Sequence, residues 1–237
     1  MMRRIALSAL RGAAAAAMIA APAGLLAAPL VVRSLGPSAK AYPPGRAVGE
    51  NSPIILKAGD VVTVLAPSGA RTLRGPGTFK VASGGTAPAF NPRSRFGAMR
   101  GPEVPPSPGL WDVDVSAGGN VCLASAGQAL LWRPSAAADA TLELVPAAGA
   151  AQKVDWAAGR LVQRWPAQLP IADGAEYQLK WAGESEAARL RIKTLAAEDS
   201  DPTALARAFI DKGCDAQLDR LLKVAPSEDE GGEPAAN

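Results

Sequence analysis

The sequence of 237 residues contains no histidine and only two cysteines. The absence of histidine excludes the Ser-His-Asp and Cys-His catalytic mechanisms, histidine-ligated metal sites and the usual sensor of near-neutral pH. Two cysteines cannot form a metal site alone. Aromatic residues make up only 5% of the chain, while 48% is hydrophobic and 20% is charged, which is typical of a globular protein. We therefore expect a two-domain protein that is not an enzyme and holds no cofactor or metal.

The chain also lacks a large excess of charge of either sign. Its net charge is +3, and three basic residues, Arg3, Arg4 and Arg11, lie at the N-terminus. The remainder is neutral, so we expect no nucleic-acid partner. Residues 24–109 carry ten basic and three acidic side chains, whereas residues 110–237 carry twelve and nineteen. This asymmetry indicates either two domains of opposite charge that pack together or a basic face for an anionic component of the cell envelope.

The N-terminal segment has the pattern of a secretory signal. Arg3 and Arg4 precede an apolar, alanine-rich run without charge over residues 12–32. We expect residues 1–28 to be a signal peptide that is cut within residues 23–28, which predicts a periplasmic protein. The alternative is an uncleaved segment that anchors the chain in the membrane.

Export would place the two cysteines in an oxidising compartment. There, Cys122 and Cys214 are expected to form a disulfide, which would attach the C-terminal helices to a strand. Closing so long a loop would stabilise the fold by about 4–5 kcal/mol. The alternative is two free thiols buried in separate places.

Five short segments rich in Val, Ile, Leu and Thr follow the signal, and Gly and Pro residues mark the turns between them. They span residues 30–33, 53–57, 60–66, 70–74 and 78–82. The third has apolar residues on both faces, which predicts a strand that is covered on both sides. The pattern indicates a small β-barrel or rolled sheet.

Residues 29–82 carry an ordered series of short motifs. In chain order these are Val31-Val32-Arg33, Gly36-Pro37, Pro44-Gly45-Arg46, Ile54-Ile55-Leu56, Lys57-Ala58-Gly59-Asp60, Val61-Val62-Thr63-Val64-Leu65, Gly69-Ala70-Arg71-Thr72-Leu73 and Gly75-Pro76-Gly77-Thr78-Phe79. The series resembles the FecR-type periplasmic domain, a small β-rich module of bacterial envelope sensors and related exported proteins. The resemblance implies a FecR-like β-domain over residues 29–82 that acts as a sensor or adaptor.

The composition of the chain changes at residue 83 and again at residue 110. Residues 83–109 are rich in Pro and Gly, which predicts a linker or a long surface loop. Residues 110–195 contain all five tryptophans and strand-like segments about 8–12 residues apart, which indicates an antiparallel Ig-like β-sandwich. Residues 177–181 alternate between apolar and polar, and the Asp173-Gly174 pair predicts the turn before them.

Residues 196–225 have the pattern of two short helices. Asp201 is a plausible N-cap, Pro202 a first helical residue and Gly213 the end of the first helix, and the second helix follows directly. The apolar stripe of this hairpin packs either on its own sandwich or on a partner. Residues 226–237 are acidic and rich in Gly, Pro and Ala, which predicts a disordered tail.

Four carboxylates are the candidates for an enzymatic alternative: Asp112, Asp114, Asp155 and Glu176. A carboxylate-dependent glycan hydrolase needs two such groups about 5–10 Å apart beside a cleft. Asp112 and Asp114 share a strand face and could act as acid and base or hold a divalent cation. The simpler interpretation is a solvated strand face.

The tryptophans allow a third interpretation. Exposed rings would give a glycan-stacking platform, whereas rings at alternating strand positions are more often sandwich core. They are Trp111, Trp132, Trp156, Trp165 and Trp181.

The hypothesis that best fits these patterns is a non-catalytic, exported cell-envelope protein. Its FecR-like module would act as a sensor or adaptor through contact with another envelope protein, or with an anionic or glycan component of the envelope. The membrane itself becomes a partner only if the signal is not cleaved. The alternatives are an envelope glycan-binding module and a carboxylate-dependent glycan hydrolase.

Overall fold

The computed structural model describes residues 28–49, 52–81, 107–124, 129–195 and 201–226. The described chain is mainly β, with two short helices after the last strand, which confirms the predicted fold class. The predicted signal peptide, almost all of the predicted linker and the tail beyond Pro226 lie outside the described residues.

The first β unit consists of five strands close to the segments predicted from the sequence. They are β1 (Leu30–Leu35), β2 (Pro53–Leu56), β3 (Val61–Ala66), β4 (Gly69–Arg74) and β5 (Gly77–Lys80). An antiparallel sheet has the order β1-β3-β4, and β2 and β5 form a separate antiparallel ribbon. Val62 and Val64 face the core of this unit, while Leu65 faces a second core beneath the helices. Strand β3 is therefore covered on both sides, as its apolar pattern predicts.

A buried carboxylate fixes two turns of the first β unit. The Asp60 side chain accepts hydrogen bonds from the backbone N–H groups of Ser38, at 2.8 Å, and Lys57, at 2.6 Å. Gly36 lies against it so closely that a Cβ there would be 2.6 Å from Asp60 Oδ1. Burial acts to raise the pKa of Asp60, but the hydrogen bonds from Ser38 and Lys57 outweigh it, and the pKa lies below its ordinary value.

The sandwich contains the other eight strands. They are β6 (Asp112–Asp114), β7 (Gly119–Leu123), β8 (Leu130–Trp132), β9 (Ala140–Pro146), β10 (Gln152–Trp156), β11 (Val162–Arg164), β12 (Glu176–Trp181) and β13 (Ala187–Thr194). One sheet has the order β10-β9-β12-β13-β7 and the other β11-β8-β6. Tyr177 and Leu179 point into the shared core and Gln178 points out, which confirms the alternation predicted for β12. Gly174 adopts a φ of +78° in the predicted turn before this strand.

The sandwich differs from the all-antiparallel expectation at two strand pairs. Strand β7 runs parallel to β13, and β6 runs parallel to β8. Only a hairpin forces two neighbouring strands to be antiparallel, and neither of these pairs is joined by one. Strand β7 instead joins its sheet at the edge, beside a strand that follows more than sixty residues later.

Two helices complete the described chain: α1 (Pro202–Lys212) and α2 (Asp215–Val224). The Asp201 side chain accepts a hydrogen bond from the Thr203 N–H at 3.0 Å, and Pro202 occupies the first turn. Gly213 ends α1 in the left-handed conformation, with φ +67°. Both boundaries agree with the sequence prediction. No helix among the described residues is long and apolar enough to cross a membrane.

Candidate functional site

The two helices lie on a core that receives residues from both β units, which we call the hairpin core. The first β unit contributes Leu30, Val32 and Leu65 to it. The segments around the sandwich contribute Leu110, Cys122 and Leu195, and the helices contribute Leu205, Ala206, Phe209, Cys214, Leu218 and Leu221. Because a single apolar cluster contains residues from all three parts, the helical hairpin attaches the first β unit to the sandwich.

A disulfide attaches α2 to the edge strand β7. Cys122 and Cys214 are bonded, their Cα atoms are 5.9 Å apart, and neither is exposed. Cys122 lies near the end of β7 and Cys214 immediately before α2. The bond therefore connects a strand with the junction of the two helices. A disulfide is typical of proteins in oxidising compartments outside the cytosol.

A buried amide makes the second attachment between α2 and β7. Gln217 is 1% exposed. Its Oε1 accepts the Cys122 N–H at 2.6 Å, and its Nε2 donates to the Cys122 carbonyl at 2.7 Å and to the Leu110 carbonyl at 3.0 Å. The side chain thus satisfies the outward-facing backbone groups of an edge strand, which would otherwise be buried without partners.

Asn120 makes the third attachment of β7 to the hairpin. Its Nδ2 donates to the Lys212 carbonyl at 3.0 Å, one of the terminal carbonyls of α1. Asn120 and Cys122 lie two residues apart on the same strand, so both side chains point to the same face. Strand β7 therefore contacts the end of α1 and the start of α2 together.

Polar contacts also connect the helices with the first β unit. Arg33 of β1 forms an ion pair with Asp219 of α2. Arg207 donates to the Gly45 carbonyl at 2.9 Å. These contacts join the basic half of the chain to the acidic half, as the interpretation of two packed domains anticipates. An exposed ion pair contributes about 0–1 kcal/mol, so most of the attachment comes from the apolar core.

The structure changes the interpretation of Asp112. The expected solvated strand face is wrong for this residue, because Asp112 is 8% exposed and its carboxylate accepts the Gly109 N–H at 2.8 Å. Arg220 of α2 covers it by donating to the Asp112 carbonyl at 2.8 Å, and it lies 3.8 Å from Asp114. Burial lowers the pKa of Arg220, and the two carboxylates oppose that shift. The acidic strand is thus packed under a helix.

The other two candidate carboxylates lie far apart in the five-stranded sheet. Asp155 accepts a hydrogen bond from the Thr141 hydroxyl at 2.6 Å, and the Thr141 carbonyl accepts the N–H of Ala182, the residue that follows β12. Glu176 lies six residues before Ala182, about 20 Å away at 3.3 Å per residue. The structure therefore does not bring Asp155 and Glu176 to the spacing that a glycosidase pair requires.

Glu176 lines an open groove of about 300 Å³ on the five-stranded sheet. Glu176 is paired there with Arg191, and Gln178, Arg189 and Asn120 also line the groove. The lining of the groove combines polar and apolar side chains, and the glutamate in it already has an ion-pair partner. The groove does not include Asp112 or Asp114.

The tryptophans pack within the protein. Trp132, Trp156 and Trp165 are buried, while Trp111 and Trp181 are partly buried against the cores. Trp111 meets Phe209 edge-on with ring centroids 5.9 Å apart, and Trp156 lies 5.6 Å from Trp181. The five rings thus do not form one exposed platform.

Among the described residues, no group of three Cys, Asp or Glu side chains is placed to hold a metal ion. The sequence interpretation missed Gln217 and Arg220, which lie three residues apart on one face of α2. A signal was present: Gln217 falls in the apolar stripe of α2, between Cys214 and Leu221. A polar residue in such a stripe must find buried partners.

No family model, no curated protein and no solved structure matches the chain.

Proposed function

We propose that the protein is a non-catalytic adaptor or sensor of the cell envelope, exported to the periplasm, whose FecR-like first β unit contacts another envelope protein. The observation that carries this proposal is the hairpin core, which joins the first β unit and the sandwich through one set of helices. A protein that binds partners through two β units at a fixed relative position needs a shared core of this kind. An enzyme instead needs a cleft in which reactive groups converge.

The chemistry of the candidate residues supports the same proposal. The Asp112 carboxylate accepts the Gly109 N–H, Glu176 is paired with Arg191, and Asp155 accepts the Thr141 hydroxyl. Each carboxylate already has a structural partner. The disulfide between Cys122 and Cys214 supports export, because such bonds persist in oxidising compartments.

The first β unit carries the surface on which we place the partner. In the part of the chain that the structure describes, the large hydrophobic side chains that are mostly exposed are Leu35, at 69%, and Ile55, at 61%. Both belong to this unit, on β1 and β2 respectively. An aliphatic side chain loses its contact with water when a protein partner covers it, and this burial stabilises the complex.

Site-specific photocrosslinking in the native envelope tests this function. A photoreactive phenylalanine derivative at Leu35 or Ile55 is expected to give a discrete crosslinked species containing one partner. The same probe at Lys153, an exposed position on β10 of the sandwich, is the matched control and is expected to give none.

Two outcomes would overturn the proposal. One is the absence of a discrete product from both Leu35 and Ile55 in cells that contain the exported protein. The other is turnover of an envelope glycan by the purified protein that is lost in Asp112→Asn or Glu176→Gln, which would establish the hydrolase alternative.

A further inference from the structure

The groove on the five-stranded sheet follows a row of cross-strand neighbours. Val145, Gln178 and Arg189 lie side by side on β9, β12 and β13. The residues that alternate with them along these strands lie in the sandwich core, so the three side chains face outwards. Beyond Arg189 comes Gly118, where a Cβ would lie 2.8 Å from the Arg189 carbonyl oxygen. The row therefore has short residues at its two ends and an amide and a guanidinium between them.

Arg189 differs from other basic residues of this outer face, because it does not lie opposite an acid. The basic residues that do are Arg191 opposite Glu176, and Lys153 and Lys180 on either side of Glu143. Arg189 lies opposite Gln178 instead, and its side chain is exposed. In the part of the chain that the structure describes, its guanidinium forms no ion pair and no hydrogen bond. Its positive charge is therefore available to a ligand.

The adjacent row of the groove supplies acceptor oxygens. Arg191 donates from both Nε and Nη2 to one oxygen of Glu176, Oε1. The second oxygen, Oε2, accepts no hydrogen bond from any of the described residues. Glu176 and Arg189 are diagonal neighbours across β12 and β13, and such neighbours lie about 7–8 Å apart. A free acceptor and a free cation thus lie at a separation that one sugar ring with its substituents spans.

The size and charge of the groove restrict the ligand further. Its volume of about 300 Å³ lies at the lower end of the range for small-molecule sites, which corresponds to one small polar molecule. The charged residues of the lining are Arg189, Arg191 and Glu176, which gives a net charge of +1. A ligand with one negative charge neutralises it.

We propose that this groove binds a sugar that carries one carboxylate, the chemistry of a uronic acid. The Arg189 guanidinium pairs with the carboxylate, because its planar fork of donors matches the two carboxylate oxygens. The Gln178 amide and Glu176 Oε2 bind ring hydroxyls, which can both donate and accept. Val145 contacts the apolar face of the ring. The site lies on the sandwich, so the proposal stands independently of a partner on the first β unit.

A titration followed by ¹H–¹⁵N NMR of the oxidised full chain tests this site. The probes are glucuronate, glucose, which lacks the carboxylate, and acetate, which lacks the hydroxyls. The signals to follow are the Arg189 Nε–H and the Gln178 side-chain amide. We expect glucuronate to shift both signals saturably, and glucose and acetate to bind at least about tenfold more weakly, because each lacks one set of hydrogen bonds.

Variants show whether the named side chains bind the sugar. Arg189→Gln should weaken glucuronate binding about tenfold, since it removes hydrogen bonds to a charged group, and Gln178→Ala about threefold. The matched control is Arg164→Gln, which removes an exposed arginine from β11 on the opposite sheet and should leave the affinity unchanged. All three variants should unfold at the wild-type temperature, so that a loss of binding reports on the groove. Binding should also weaken in about 1 M salt, where exposed charges are screened.

Three results would overturn the proposal. The first is the absence of a saturable shift at Arg189 and Gln178 with glucuronate. The second is acetate binding as tight as that of glucuronate, because the groove would then attract any anion and would not recognise a sugar. The third is an unchanged glucuronate affinity in Arg189→Gln, because the carboxylate would then be bound elsewhere.

Discussion

Gln217 takes the place of a neighbouring strand for Cys122. Its side-chain amide bonds both the N–H and the carbonyl of that residue, at 2.6 and 2.7 Å, while the Cys122 sulfur is bonded to Cys214 on the same helix terminus. The edge of the five-stranded sheet is thus covered at Cys122 by a side chain of α2 and by a covalent bond from the residue that precedes α2.

The first prediction concerns this amide. Gln217→Ala leaves three buried backbone groups of Cys122 and Leu110 without partners, at about 1–3 kcal/mol for each group that water does not reach. We expect a loss of about 2–4 kcal/mol in the free energy of unfolding, measured by urea denaturation. Gln178→Ala, which removes an exposed amide on β12, should change it by less than about 0.5 kcal/mol. Equal losses in both variants would show that the Gln217 contacts contribute nothing specific.

The second prediction concerns the disulfide. Replacing Cys122 and Cys214 by alanine releases a loop of 92 residues in the unfolded chain. We expect the free energy of unfolding to fall by about 3–5 kcal/mol relative to the oxidised protein. The native exported protein should contain no thiol that reacts with a thiol reagent, and two reactive thiols would contradict the bond.

The third prediction is a pH dependence at Asp60. Its pKa in the folded protein lies below that of the unfolded chain, about 3.9, because hydrogen bonds from Ser38 and Lys57 outweigh burial. The stability that it contributes is therefore complete above the unfolded pKa and is lost as the pH falls through the lower folded pKa. Asp60→Asn should be less stable at neutral pH, and its melting temperature should fall less on acidification below about pH 4.

The control for this experiment is Asp211→Asn, an exposed carboxylate at the end of α1. Its melting temperature at neutral pH should stay close to that of the wild type, because an exposed side chain contributes little to stability. If Asp60→Asn also follows the wild type over the acid range, then Asp60 does not stabilise the two turns in the way its hydrogen bonds indicate.

The fourth prediction separates backbone strain from a close contact at two glycines. Gly59→Ala and Gly69→Ala both place a side chain at a positive φ, of +83° and +143°. A Cβ at position 59 meets no atom within 4 Å, whereas a Cβ at position 69 would lie 2.1 Å from the Pro226 oxygen. Gly59→Ala should cost about 1–2 kcal/mol from strain alone. Gly69→Ala should cost more and should accelerate hydrogen exchange at Ala70, and an unchanged exchange rate at Ala70 would show that the Pro226 contact is dispensable.

The fold was largely predictable because local signals agree with it. Gly and Pro mark the turns, the alternation of residues 177–181 marks a strand, and Asp201, Pro202 and Gly213 mark the limits of α1. Each signal acts over a few residues and depends on backbone geometry that the residue type itself favours.

The contacts between α2 and the sandwich were less predictable because they join residues that are distant in sequence. Gln217 bonds residues 95 and 107 positions away, and Arg220 reaches Asp112 over 108 positions. No local pattern specifies which strand a helix will cover, so Asp112 was expected in solvent and lies buried instead. The parallel pairing of β7 with β13 depends in the same way on the path of the whole chain.

Native-state hydrogen exchange of Phe209→Ala shows whether the hairpin core holds both β units together as one body. Phe209 is fully buried in the core to which β1, β3 and β7 contribute. Removing its ring should cost about 3–5 kcal/mol. If both β units depend on this core, the opening free energies of the amides in β3 and in β7 fall together by this amount. Loss of protection in the helices and β7 while β3 keeps its wild-type protection would contradict it.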